Sequence, residues 1–83
     1  MDYETKTIEI ISAYLGKVKK NNQEITLDSK LVNIDIDSLD TIEISFLLEE
    51  EFKTYIEPND LMKMNAESVK DLVNFIKKHV EAN

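Results

Sequence analysis

The sequence has no cysteine, and of its 83 residues one is glycine and one is proline. Without cysteine there is no disulfide and no thiolate metal site, so stability rests on one apolar core. At this length the chain lies near the small end of independent folding and reads as one domain over residues 1–83. All the basic residues are lysines, none is arginine, and the formal net charge is −7. Nucleic-acid binding needs a track of cations along phosphates, and the short cluster Lys17, Lys19 and Lys20 does not supply one. Apolar runs are also short. None approaches the roughly 18 residues of a membrane span. The opening stretch, MDYETKTIEI, lacks the basic region of a signal peptide, which suggests a cytoplasmic setting. Nothing in the pattern requires more than a monomer.

What is present is a soluble, folded composition, 42% hydrophobic and 33% charged. Ile8, Ile11 and Leu15 stand at helical spacing, which predicts a first helix over Thr5 to Leu15, ended by Gly16 at a left-handed position. Lys17 to Asn33 reads as a long irregular connection, pinned to the core by Val18, Ile25, Leu27 and Leu31. Connections of this length are often functional. A second helix is predicted from Ser38 to Lys53. Pro58 breaks the chain, and Asn59 and Asp60 start a short helix to Met64. Ser68 with Asp71 has the layout of a capping box, opening a last helix whose stripe is Val69, Leu72, Val73, Ile76 and Val80. No period of two persists. The fold class is all-α, a small four-helix bundle of three main helices and a short third one.

The second helix carries two apolar stripes. At about 100° per residue, Ile44, Leu47, Leu48 and Phe52 form one and Leu39, Ile42 and Phe46 the other. Glu43, Glu49 and Glu50 rim the smaller stripe, and Ser38 lies beside it. That stripe either packs beneath another element, such as the long connection, or forms a docking face whose carboxylates steer a basic partner.

Ser38 is placed among acids. A serine nucleophile needs an adjacent base, yet the one histidine is His79, read as an exposed residue at the end of the last helix. No Gly-x-Ser-x-Gly elbow surrounds it. Asp35 and Asp37 have the spacing of the first two calcium ligands of an EF-hand, but Leu39, Asp40 and Phe46 break the pattern, so no specific metal site is assigned. Locally, Asp37 or Ser38 can cap the helix, and Asp37 with Asp40 has the spacing of a capping box.

The stretch DSLDTIEISFLLEEEF, Asp37 to Phe52, resembles the second helix of acyl carrier proteins of the fatty-acid and polyketide type, and the helix layout of the whole chain agrees. The resemblance implies that Ser38, flanked by Asp37 and Leu39, receives a 4′-phosphopantetheine arm from coenzyme A. A separate phosphopantetheinyl transferase would make the bond. The arm's thiol would carry acyl chains as thioesters, so the chain is a carrier and not an enzyme. It further implies that Asp37, Leu39, Asp40, Ile42, Glu43, Phe46, Glu49 and Glu50 form the face that acyl-transferring and synthase enzymes read with basic surfaces. Where the family usually has glycine three residues before the serine, this chain has Asp35, followed by Ile36. Asp tolerates positive φ less well than glycine. This points to a specialised fatty-acid or polyketide pathway served by a selective transferase. The alternative is an unmodified helical interaction module with an acidic docking helix.

Overall fold

An aspartate decides where the first helix begins. Asp2 accepts the Thr5 N–H at 2.9 Å, and α1 runs over Tyr3–Tyr14 in the computed structural model, which describes residues 2–82. The start precedes the predicted one at Thr5 because the cap, not the first apolar residue, sets it. The end differs too. Gly16 does not stop the helix; a π-helical turn over Leu15–Lys19 follows, and the left-handed residue is Lys20 at φ 56°. Gly16 serves close approach instead, since a Cβ there would meet Asn22 Oδ1 at 3.0 Å.

The connection that follows is pinned as expected by Ile25 and Leu31, both buried, whereas Val18 is exposed. A 3-10 turn over Leu31–Ile34, which lacks a helical period, buries Leu31 and Ile34. Helix α2 spans Ser38–Phe52 and closes at left-handed Lys53. Helix α3 covers Pro58–Lys63. Pro58 opens this helix at its first position, where its missing N–H costs nothing, so it is a start signal as well as a break. Helix α4 covers Val69–Ala82. Asp71 Oδ2 accepts the Glu67 and Ser68 N–H groups at 2.8 and 3.1 Å, and these bonds hold its carboxyl below the usual range against the opposing effect of burial. The Val69 and Lys70 N–H groups are met by the carbonyls of Ser29 and Leu27, each at 3.0 Å. The long connection thus satisfies donors that the start of α4 cannot pair internally. No strand occurs among the described residues; Lys30 and Ser68 form one isolated antiparallel bridge.

Ile11 and Leu15, Ile44 and Leu48, Ile56, and Val69, Leu72 and Ile76 meet in the interior. Leu47 leaves the predicted core stripe and is 42% exposed; it lines an open groove with Ile10, Ala13 and Tyr14 of α1. His79 also differs from its expected place. It is half-buried against Phe75, with Nδ1 2.9 Å from the Phe75 carbonyl and Nε2 3.2 Å from Asp60 of α3. The short α3 lies alongside the end of α4, which gives the ring an acceptor at each nitrogen.

Leu72 is fully buried. Leu72→Ala is expected to cost about 2–5 kcal/mol, a large share of the roughly 5–15 kcal/mol that holds a small domain folded. Urea unfolding measures it, and a loss under about 0.5 kcal/mol would displace α4 from the centre of the core.

Candidate functional site

The chain enters α2 through a tight reversal. Ile34 and Ile36 are both buried, and the Ile36 N–H bonds the Leu31 carbonyl at 2.9 Å. Asp35, between them, is exposed and left-handed at φ 64°, ψ 36°. Glycine takes that conformation without steric cost; Asp is among the few other residues that adopt it readily. Asp37 then caps the helix. Its Oδ1 accepts the Asp40 N–H at 2.9 Å, and Asp40 Oδ2 accepts the Asp37 N–H at 3.0 Å. The capping box is therefore built without the hydroxyl of Ser38, which stands exposed at the first position of the helix.

Asp40, which the resemblance assigns to the face that partners read, does not stand exposed on it. It is 6% exposed. The Tyr14 hydroxyl donates to its Oδ1 at 2.6 Å, and Lys19 Nζ lies 2.9 Å from its Oδ2. Burial opposes its ionisation, but the bonds from Tyr14, from the Asp37 N–H and from Lys19 outweigh this and hold its carboxyl down at about 2. The same bond to Asp40, aided by burial and by neighbouring carboxylates, pushes the Tyr14 phenol up to about 12. Lys19 is raised, chiefly by Asp40. Glu49 is likewise turned inward: its Oε2 accepts the Ile56 N–H at 2.6 Å and pins the segment after α2. The remaining rim carboxylates, Glu43 and Glu50, are exposed.

Between these acids the smaller stripe is open to solvent rather than packed under the long connection. Leu39 is 74% exposed, Phe46 52% and Ile42 36%. On one flank of α2, Ser38 borders a groove of about 650 Å³, whose apolar lining includes Val32, Ile36, Ile42, Leu61 and Met64. Ala66 and the charged Lys30 and Glu67 complete its far side.

The family model described as "Phosphopantetheine attachment site" matches residues 6–76. An acyl carrier protein from Borrelia garinii subsp. bavariensis is 44% identical over 75 residues, covering 89% of this chain and 88% of that protein. The chain belongs to the acyl carrier protein family. Another member, from Buchnera aphidicola subsp. Baizongia pistaciae, is 40% identical over 78 residues and covers 93% of this chain and 94% of its own. The crystal structure of an acyl carrier protein from Thermotoga maritima superposes with a TM-score of 0.74 at 22% identity, over 96% of this chain and 93% of that one, and has the same fold. Acyl carrier proteins hold acyl groups on a covalently attached 4′-phosphopantetheine, and so does this carrier. Among the described residues no helix is long and apolar enough to cross a membrane.

Three neighbours of the site escape the helical pattern. Val32, 81% exposed, lies in a 3-10 turn without apolar period. Tyr14 looks like part of the α1 stripe, and only its hydroxyl marks it as a polar contact. Lys19 reaches Asp40 from the end of the π turn, for which the sequence carries no signal.

The Tyr14–Asp40 pair sets a pH window. Asp40 titrates below its usual 3.8 when folded, so its contribution is complete above about 4 and is lost as pH falls toward about 2. Tyr14 titrates above its usual 10.0, so its contribution is complete below about 10 and is lost as pH rises through about 12. Tyr14→Phe is expected to lower the melting temperature between these limits and to flatten the alkaline limb of a melting-temperature–pH curve. A variant curve that parallels the parent's above pH 10 would contradict it.

Proposed function

We propose that Ser38 is the residue through which this carrier holds its 4′-phosphopantetheine, and that the exposed face of α2 is what its partner enzymes read. One observation carries the reading: the serine hydroxyl is exposed at the first position of a 15-residue helix whose capping is already done by Asp37 and Asp40. It is left for chemistry, and the positive end of the helix favours an anionic phosphodiester there. The group's fit is supported by the groove beside Ser38, lined by Val32, Ile42, Leu61 and Met64, which suits a flexible arm with an apolar burden.

Ser38 Oγ would bond to the phosphorus of the phosphopantetheine half of coenzyme A. The pyrophosphate P–O bond breaks, 3′,5′-ADP leaves, and the hydroxyl proton passes to a base on the transferase. The one histidine does not stand beside Ser38: His79 is engaged by Phe75 and Asp60 at the end of α4. The carrier would then be modified by another protein and would act as a carrier rather than as an enzyme. When bound, the arm supplies a thiol that holds acyl groups as thioesters.

Partners would be a phosphopantetheinyl transferase and acyl-transferring or synthase enzymes with basic surfaces. Leu39, Ile42 and Phe46 offer the apolar contact, and Asp37, Glu43 and Glu50 the exposed carboxylates. Asp40 and Glu49 would act from inside, by shaping this face. Asp35 adds a charge and a left-handed non-glycine residue three places before Ser38, which favours a specialised pathway with a selective transferase.

Incubation with coenzyme A and a permissive transferase should add one phosphopantetheine by intact mass, and Ser38→Ala should add none. A mass shift that persists in the variant moves the attachment elsewhere. Asp35→Gly should be modified faster than the parent by a broad-range transferase. Equal rates would remove the selective-transferase reading.

A further inference from the structure

We infer that the π-helical turn after α1 is a positioning device for Ser38: Tyr14 and Lys19 act through the Asp40 carboxylate to fix the backbone of Asp37, the residue before the serine. The inference rests on the Ser38 reading and adds to it the means by which the hydroxyl is presented.

The first turn of α2 has no apolar anchor. Ser38 and Leu39 are exposed, and the first buried apolar residue of the helix is Ile44. Asp40 is the buried side chain of that turn. Its carboxylate takes three donors: the Tyr14 hydroxyl at 2.6 Å, Lys19 Nζ at 2.9 Å and the Asp37 N–H at 3.0 Å. Two come from the far side of the interface with α1. The third is the joint that orients Ser38. A buried carboxylate that loses donors is driven to seek water. Asp40 can do so only by swinging out, and the Asp37 N–H goes unmet when it does.

The π turn is what brings the second donor across. Leu15–Lys19 winds wider than an α-helix and needs a left-handed Lys20 to close, with the Lys20 and Asn21 N–H groups both bonded to the Leu15 carbonyl. Such turns are rare and recur at functional sites. Here the side chain so delivered is Lys19, three-quarters buried against Asp40, with 24% of its side chain exposed.

The test uses the full chain, coenzyme A and a permissive transferase, at a temperature far below every variant's melting point. Tyr14→Phe removes one donor at constant charge, Lys19→Met removes the other, and Lys19→Arg keeps both charge and donor. Steady-state modification rates and the Asp37 amide resonance are measured. The expected result is about a tenfold fall in kcat/KM for Tyr14→Phe and for Lys19→Met, well inside the ~100-fold that a misplacement of about 1 Å can cause. The Asp37 amide signal should move in both, and Lys19→Arg should restore rate and signal together. Rates within about twofold of the parent while the Asp37 signal has moved, or an equal loss in Lys19→Arg and Lys19→Met, would overturn the inference. A parent that accepts no phosphopantetheine sinks the Ser38 reading and this inference with it; a modified parent beside unimpaired variants sinks this inference alone.

Discussion

The carboxylate of Asp40 is the point on which the arrangement around Ser38 turns. Withdrawing an ionised carboxyl from water costs several kcal/mol unless hydrogen bonds replace those it loses. Here a phenol, an ammonium and a backbone amide replace them. The result is directional in a way that apolar packing is not. The 2.6 Å bond from Tyr14 holds donor and acceptor within a narrow range of distance and angle at that level of the two helices.

The same economy organises the segments outside the main helices. The long connection has little regular structure, yet its backbone is tied to α4 by the Leu31–Glu67, Val69–Ser29 and Lys70–Leu27 bonds, and its side chains Ile25, Leu31, Ile34 and Ile36 are buried. Beyond α2, Glu49 meets the Ile56 N–H and so places Ile56, 2% exposed, in the core. Each of these irregular segments is held by one or more polar ties together with one or more apolar pins. Such holding lets the groove beside Ser38 have walls from the 3-10 turn, α2, α3 and the turn before α4 without a strand or a disulfide to support them.

Much of this was legible in residues whose neighbours along the chain settle their environment. The four helices, the capping box at Asp37, the Ser68–Asp71 cap and the α4 stripe depend on contacts three or four residues apart, and the sequence displays those directly. The two-faced character of α2 was legible for the same reason. What was not legible depends on contacts distant in sequence. Asp40 falls by angle between Leu47 and Ile44 of the core stripe, but the partner that satisfies a carboxylate there, Tyr14, lies 26 residues earlier. Glu49 lies on the rim by angle and is drawn in by a backbone amide seven residues later, past the end of the helix. Gly16 reads as a helix stop, but the turn widened instead and moved the left-handed position to Lys20. His79 reads as an exposed residue at a helix end, and it lies instead against Asp60 of α3. For Asp40, Glu49 and His79 a polar group found a partner that no local pattern encodes.

These distant ties also settle a conflict within the acidic helix. A negative face helps a basic partner to approach, yet the same charges disfavour adding a phosphodiester at the serine proposed to carry it. Like unit charges about 7 Å apart at an effective dielectric of about 20 repel by roughly 2 kcal/mol, so a few unscreened carboxylates near Ser38 would matter. The arrangement separates the two demands along the helix. Near its start, Asp37 is occupied as the cap, and Asp40 is paired with Lys19, whose ammonium is also drawn toward Asp35 and Asp37. Further along, Glu43 and Glu50 stay exposed. The charge of Asp40 is thus compensated close to where an anion would be attached, whereas Glu43 and Glu50 keep theirs where a partner would land. Net charge alone, −7 for the chain, says nothing of this division; it exists because a lysine from the far end of a π turn is spent on one aspartate and not on the glutamates beyond it.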